Sequence, residues 1–475
     1  MLFQSVNFAI FLPIVLAIYW SARGRVAAQN AILAAASLMF YAFSGLWSLL
    51  PLAAAVLSAY VFALAIGAAP PNRRSYLLVA GVAINLSILG YFKYADFFAD
   101  SLNQLLIGAS ASWRVSIGAV LLPVGISFYI FRTVSYIVDV ARRDVPVERS
   151  LSNVFLYAAF FPYMLAGPVD RSKTVLPQLA RERSLSRDDV DAALRLILWG
   201  LFKKIVIADS LADYVDYVFV NYADLAASSL AIGAVYFTLQ LYADFSGYSD
   251  IAVGVARLFG LEITQNFRTP FFARSIAEFW RRWHISLYNW FNDYVFGPLS
   301  LALRDFDAAG VIVAVLITFT LSGLWHGAGW GFVVFGLLHG LYFIPLILKR
   351  RGRGVLGGRA ATTAQARDAG WMVLTFACVV FAFVFFRLPV LSDAFAFLRH
   401  LASPTIAAAP LPQLVTLSWT LVLPAFEWVQ RNRNHALDIS TWHYTVRYPV
   451  YAALLLAIAV SIRPSHGAEY LYFKF

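Results

Sequence analysis

Charge is what this chain lacks. Of its 475 residues only 13% are Asp, Glu, Lys or Arg, about half the ~25% usual in soluble domains, while 61% are hydrophobic. Too few ionic groups remain to cover a water-facing surface, so lipid must be the main solvent. Cysteine is almost missing too. The single Cys378, inside an apolar run, excludes a Cys-based metal cluster and any intrachain disulfide, and no metal site is expected. Repeats with periods of roughly 20–50 residues and Pro- or Ser-rich linkers are absent, which predicts one helical membrane domain over residues 1–475 and no soluble catalytic module. The chain also lacks a G-x-S-x-G elbow, a P-loop, an H-E-x-x-H pair and a G-x-G-x-x-G stretch. These absences weigh against a serine hydrolase, an NTPase, a zincin and a dinucleotide enzyme.

What is present is a series of uncharged intervals: 1–22, 26–72, 75–92, 115–131, 150–169, 225–243, 308–348, 369–386, 401–426 and 448–462. A span takes about 20 apolar residues. Most intervals therefore hold one helix, and 26–72 and 308–348 hold two, broken near Ser44-Gly45 and Gly327-Ala328-Gly329. The expectation is an all-α polytopic membrane protein with roughly a dozen spans. Met1 to Ala22 lacks a basic n-region and reads as a retained first helix. Residues 184–208 mix Asp188, Asp189, Asp191, Arg195, Lys203 and Lys204 with Leu, Ile and Trp, the composition of an amphipathic stretch along an interface. The net charge of +11 is a positive-inside signal rather than a nucleic-acid footprint. Its largest block, Lys349, Arg350, Arg351, Arg353, Arg359 and Arg367, marks a cytoplasmic loop.

Chemistry is concentrated where polar groups interrupt this pattern. Residues 244–307 keep many aromatics but include Asp244, Asp250, Glu262, Asn266, Arg274, Glu278, Arg281, Arg282, His284 and Asp293. At membrane depth such groups must be buried in protein or face a water-filled cavity. His326 stands near the middle of the uncharged interval 308–348, either at an outward hairpin tip or at mid-depth in a re-entrant turn. Its imidazole suits a general base near neutral pH, and it equally suits a hydrogen bond between helices. His284, in Trp280-Arg281-Arg282-Trp283-His284, has a bland alternative as an interfacial anchor. His339, thirteen residues after His326, would point about 140° away on a continuous helix and is not expected to share its site directly. Asp244 and Asp250 do not meet on one straight helix face, so a paired-acid mechanism is not supported. Asp244 or Ser246 could instead cap a helix.

The motifs together resemble the membrane-bound O-acyltransferase family, and within it the branch that acetylates alginate and related polysaccharides. The resemblance runs from Phe8-Ala9-Ile10-Phe11-Leu12-Pro13 through Pro123-Val124-Gly125-Ile126-Ser127-Phe128-Tyr129, Ala166-Gly167-Pro168 and Gly200-Leu201-Phe202-Lys203-Lys204. It continues in Asp244-Phe245-Ser246-Gly247-Tyr248-Ser249-Asp250, Asn266-Phe267, Glu278 to Leu287, and Gly323-Leu324-Trp325-His326-Gly327. It implies that His326 is the catalytic histidine and His284 a second functional one. Asp244, Ser246, Tyr248, Asn266, Arg281, Trp283 and Trp325 become candidate substrate-binding residues. It further implies helices around a central tunnel with re-entrant or interfacial segments, in a bacterial inner (cytoplasmic) membrane. No cofactor is expected to be bound; acetyl-CoA or another acyl thioester is the expected donor, an extracytoplasmic SGNH-type acetyltransferase the partner, and a polysaccharide the final acceptor. Asp293-Tyr294 runs into Gly297-Pro298-Leu299-Ser300, where relatives have Pro-Leu-Gly-Gly-Asn-Arg, a departure that bears on acceptor partner and acyl specificity. D-alanyl transfer to teichoic acid is a second enzymatic reading. A transporter using intramembrane His and Asp is the non-enzymatic one, and the inverted repeats that would favour it are not seen.

Overall fold

The computed structural model describes residues 1–110, 113–116, 118, 120–349, 368–403, 414–433, 435, 437–462 and 470–471. Among them every regular element is helical. This is the expected outcome for a chain whose backbone polar groups must be satisfied inside hydrocarbon. Six helical stretches are long and apolar enough to cross a membrane: Leu46–Ala68, Pro71–Gly108, Arg304–His326, Trp330–Lys349, Ala369–Arg387 and Tyr444–Ser461. The chain is thus a multi-pass, all-α membrane protein. The arginines 350–367, expected to mark a cytoplasmic loop, lie outside the described residues, as do residues 472–475.

The described chain forms two compact units. The first comprises Met1–Val190 and Val255–Thr264. Here α1 (Val6–Ser21) and α2 (Val26–Ala42) are shorter apolar helices. α1 turns Val6, Ile10, Ile14 and Ile18 outward at every fourth position, each at least half exposed, a row suited to lipid. The break expected at Ser44-Gly45 is present, with Gly45 at φ 112°, a conformation that glycine enters without steric cost. α3 (Leu49–Ala68) follows, then α4 (Pro71–Leu89), which continues through a π-helical stretch, Gly90–Tyr94, into α5 (Ala95–Gly108).

The six membrane-length stretches among the described residues are fewer than the roughly dozen spans expected, and intervals 115–131 and 150–169 show why an uncharged run need not become one. The helix expected within 115–131 starts only at Ile126: α6 (Ile126–Arg142) carries Arg132 and Asp139 and is buried nearly all round. Interval 150–169 divides into α7 (Leu151–Ala159) and α8 (Phe161–Met164). The cause is Arg132. Its guanidinium donates to the carbonyls of Ala158 at 3.0 Å, Tyr163 at 2.8 Å and Pro168 at 2.9 Å, holding this stretch as folded protein interior. An uncharged run thus signals burial, and protein buries apolar groups as well as lipid does. α9 (Ser172–Leu179) completes the unit's regular structure, with Asp139 accepting from the Ser172 hydroxyl at 2.7 Å.

The second unit comprises Asp191–Gly254 and Gln265–Phe475. α10 (Arg187–Leu201), read from sequence as amphipathic, buries Ala193, Leu196, Trp199 and Gly200 on one face. Lys203 and Lys204 depart from the interfacial expectation. They fall in a π-helical stretch, Phe202–Ala208, before α11 (Asp209–Val220), and both are buried. Lys203 pairs with Asp250 at 2.7 Å, and Lys204 with Asp244 at 2.7 Å and Asp209 at 2.9 Å. Asp244 and Asp250 come from α12 (Ala227–Leu258), a 32-residue helix, and Asp209 opens α11. Asp244 and Ser246 lie in its interior, so neither is a cap.

Beyond α12, three short helices, α13 (Ile276–Trp280), α14 (Ile285–Phe291) and α15 (Gly297–Ala302), replace the simple lipid-facing hairpin that the polarity of 244–307 had excluded. α16 (Asp307–His326) and α17 (Trp330–Lys349) then form the antiparallel pair expected in 308–348, turning at Gly327-Ala328-Gly329. Their backbones touch. A Cβ on Gly323 would stand 2.1 Å from the Phe332 carbonyl oxygen, and one on Gly336 2.2 Å from that of Phe319, the close approach that small residues allow between membrane helices. α18 (Ala369–Arg387), α19 (Leu391–Leu401), α20 (Leu414–Val429) and α21 (Tyr444–Ser461) complete the chain.

Candidate active site

His326 is the last residue of α16, and the extended Gly327 stops the helix directly after it. A side chain at Gly327 would collide with the Phe332 ring, its Cβ only 2.1 Å away, so glycine lets the turn fold back beside the imidazole. The ring is buried among aromatics, with centroids 5.1 Å from Trp325, 5.3 Å from Phe386 and 5.8 Å from Phe335. A fourth neighbour is the His284 imidazole, at 6.2 Å. The two histidines therefore share one site, although 42 positions separate them in sequence.

His284 is brought there by an unusual piece of backbone. Ser275 caps α13 by accepting from the Glu278 N–H, and Glu278 reaches back to the Arg274 N–H at 3.0 Å. After Trp280 the chain turns through Arg281-Arg282-Trp283. His284 itself takes the left-handed conformation, φ 44° and ψ 51°, ahead of α14. For a residue with a Cβ this costs about 1–2 kcal/mol, so neighbouring contacts must hold it. Asn266 supplies them. Its carbonyl accepts from the Ile285 N–H at 2.9 Å, its Oδ1 from the Ser286 N–H at 3.2 Å and hydroxyl at 2.6 Å, and its Nδ2 donates to Ser249 Oγ at 3.3 Å. Two residues on, the Arg268 N–H donates to the Arg282 carbonyl at 2.9 Å. The Asn266 side chain thus acts as a bracket for His284 and is occupied by protein contacts.

Aromatic rings enclose the His284 imidazole, with Phe245 edge-on at 4.7 Å, Trp325 at 5.8 Å and Phe267 stacked at 6.5 Å. His284 lies outside the six spans, and burial alone holds its pKa well below the ordinary imidazole value, at about 3. It is neutral at physiological pH and can donate through one ring nitrogen and accept through the other.

The remaining sequence candidates separate by helix face. Trp325 belongs to the histidine cluster. Trp283 stacks on Phe279 at 5.4 Å and packs against Phe267 at 5.1 Å, behind His284. Arg281 is partly buried beside Arg282, whose charge is met by Glu278 at 2.8 Å; Glu278 also binds Arg274 at 3.1 Å. On α12, Phe245 and Ser249 face the His284 turn, while Asp244, Ser246 and Tyr248 turn toward other partners: Lys204, Lys203 at 2.8 Å, and Tyr470 at 5.0 Å. Asp244 also accepts from the Leu471 N–H at 2.8 Å. Sequence reasoning missed Phe245, Phe335 and Phe386 because an aromatic in an aromatic-rich span has no local mark. It also missed Glu427, which accepts from the Tyr242 hydroxyl. Its signal was a carboxylate at the edge of the uncharged interval 401–426.

Two imidazoles are thus buried together beside a helix end, one of them in a strained backbone conformation; among the described residues no group of three or more His, Cys, Asp or Glu side chains that could hold a metal ion occurs. Comparison with known proteins agrees with a transferase. The model of the MBOAT, membrane-bound O-acyltransferase family, matches residues 140–352, which include both histidines. The chain is 38% identical to a probable alginate O-acetylase AlgI of Azotobacter vinelandii over 82% of its length and 75% of the relative's. It is 32% identical to a peptidoglycan O-acetyltransferase of Helicobacter pylori, with 77% and 72% covered. A teichoic acid D-alanyltransferase of Streptococcus thermophilus is more distant, 31% identical over 46% of this chain and 55% of the relative. With relatives this similar over most of its length and two histidines converging at the α16–α17 turn, the chain belongs to the membrane-bound O-acyltransferase family and is an O-acyltransferase of the membrane.

Proposed function

We propose that the protein transfers an acetyl group from a thioester donor such as acetyl-CoA for O-acetylation of an extracytoplasmic polysaccharide, with His326 as general base and His284 as the group that orients or polarises the acyl carbonyl. The observation behind this reading is the 6.2 Å separation of the two buried imidazoles. A carbonyl carbon between them lies within reach of an acceptor hydroxyl on the His326 side and a hydrogen bond from the His284 side. The acceptor oxygen adds to the carbonyl carbon while His326 takes its proton. The tetrahedral intermediate then collapses by breaking the C–S bond, and the departing thiolate takes up the proton held by His326. His284 needs no charge in this scheme, which fits the burial that holds its imidazole neutral.

The acetyl and polysaccharide assignments follow the alginate and peptidoglycan relatives, which match more of the chain than the D-alanyltransferase does. An SGNH-type partner outside a bacterial inner membrane completes the transfer in this reading, and residues 1–475 act as one catalytic unit. Asp244, Ser246 and Tyr248 support the α12 face away from the histidines, while Arg281, Trp283, Asn266 and Trp325 shape the substrate path. The test is acetyl transfer from radiolabelled acetyl-CoA in membrane vesicles, with thiol release measured in parallel. His326→Ala should remain folded in detergent and lose both signals by a factor of about 10²–10⁴. Near-wild-type transfer by that variant refutes the assignment, and thiol release without label in the glycan redirects the search for the acceptor.

A further inference from the structure

His339 lies on α17 and has 0% of its surface exposed. Its Nδ1 is 3.2 Å from the indole Nε1 of Trp280. An indole N–H only donates, so Nδ1 must accept. That fixes the protonation state of His339: the ring is neutral and its one proton is on Nε2, because an imidazolium would present two donors and no acceptor. Nε2–H meets no hydrogen-bond acceptor among the described residues. A leucine would fill the same space without burying an unmet donor. Packing therefore does not account for an imidazole here, and the contact made by Nδ1 does.

That contact lies where His284 is positioned. Trp280 closes α13, and the turn after it is built on α13 itself: the Arg282 and Trp283 N–H groups donate to the Phe279 carbonyl at 2.9 and 2.8 Å. Wherever Trp280 stands, the turn that ends in the left-handed His284 must follow. The opposite side of His339 reaches the other histidine, since Phe335 is edge-on to His339 at 4.7 Å and edge-on to His326 at 5.8 Å. One imidazole thus touches both the turn that presents His284 and the ring that packs on His326. We propose that His339 is a positioning residue for acyl transfer, acting through the Trp280 N–H to fix the turn that delivers His284. The inference rests on the reading of His284 and His326 as the reacting pair.

The test uses His339→Asn, His339→Leu, Trp280→Phe and the double variant His339→Leu/Trp280→Phe of the full chain in vesicles. Asparagine keeps an acceptor oxygen close to the place of Nδ1, and leucine keeps only the volume. Leucine and phenylalanine should each lower kcat roughly tenfold or more with the donor KM within about twofold, since a displacement near 1 Å is costly to transfer. The double variant should be no slower than either single, and His339→Asn should stay within about threefold of wild type. A readout independent of turnover is diethyl pyrocarbonate labelling of His284, mapped by mass spectrometry. Labelling should speed up several-fold in the leucine and phenylalanine variants and match wild type in His339→Asn. Unchanged labelling of His284 in folded His339→Leu overturns the proposal whatever the turnover; so do additive losses in the double variant. Altered labelling with no acyl transfer in any variant, wild type included, upholds the positioning role and refutes the proposed function instead.

Discussion

The crossing of α16 and α17 offers a quantitative test of how backbone contact sets the position of His326. In Gly323→Ala the new Cβ would stand 2.1 Å from the Phe332 carbonyl oxygen, whereas ordinary contact starts at 3.4 Å. The two helices must separate locally by the difference, 1.3 Å. The obstacle is backbone, so no rotamer change absorbs it, and Gly336 lies against the same crossing from the other side, 2.9 Å from that Cβ through its Cα. Overpacking of this kind costs about 1–3 kcal/mol. His326 follows Gly323 by one helical turn, so the shift reaches its imidazole largely undiminished. A displacement near 1 Å lowers transfer by roughly 10²-fold. Gly340→Ala is the control on the same interface: its Cβ would meet the flexible Leu316 tip, Cδ2 at 3.1 Å, and the Leu316 Cα at 3.3 Å, only 0.1 Å inside ordinary contact at 3.4 Å. It should melt within about 1 kcal/mol of wild type, helped by the better helix propensity of alanine, and keep its rate within about twofold. The assays are thermal melting in detergent and acetyl transfer in vesicles. A Gly323→Ala protein that melts and turns over like wild type would refute direct backbone contact between the helices.

Three further outcomes follow from the same geometry. Asn266→Ala removes the Oδ1 that accepts from the Ser286 N–H and hydroxyl, at about 1 kcal/mol for each hydrogen bond lost; melting should fall, and transfer should fall further because the left-handed His284 loses its bracket. Lys203→Met leaves Asp250 buried without its cation and should destabilise the protein by about 3–5 kcal/mol, while Lys203→Met/Asp250→Leu should recover most of that loss, both read by the folded fraction after heating in detergent. Because burial holds His284 near pKa 3, it stays neutral throughout an assay between about pH 5 and 9; His284→Gln should therefore lower the plateau of the pH–rate profile without moving its acidic midpoint, and a moved midpoint would assign that limb to His284.

Several features of this protein were legible residue by residue. The scarcity of charge dictates a lipid-solvated helical protein, the glycines at 327 and 329 place the α16–α17 turn, and Ser44-Gly45 places the break after α2. Polar density in 244–307 locates the region that cannot be simple spans, while the choice of His284 beside His326 came from the likeness of the Arg-Trp-His-Ile-Ser and Trp-His-Gly elements to a known family. Other positions misled. Arg132 lies just past an uncharged interval yet holds the buried α7–α8 stretch. Lys203 and Lys204 have the sequence character of an exposed polar face, but the π-helical stretch turns both inward onto aspartates of α12. For Asn266, which belongs to a motif that suggests substrate contact, the structure adds hydrogen bonds that hold the His284 turn.

Composition and helical period thus determined by themselves that the chain is helical and that it lives in a membrane, because transfer free energy and backbone hydrogen bonding depend on residues within one turn or one span. Only the tertiary structure decided that His284 and His326 stand 6.2 Å apart, and that His339 addresses the Trp280 turn instead of its helical neighbours. Those distances depend on a left-handed residue, a glycine crossing and a bracket from Asn266. Each is a contact between segments far apart in the chain, whose geometry is set by packing rather than by any local preference.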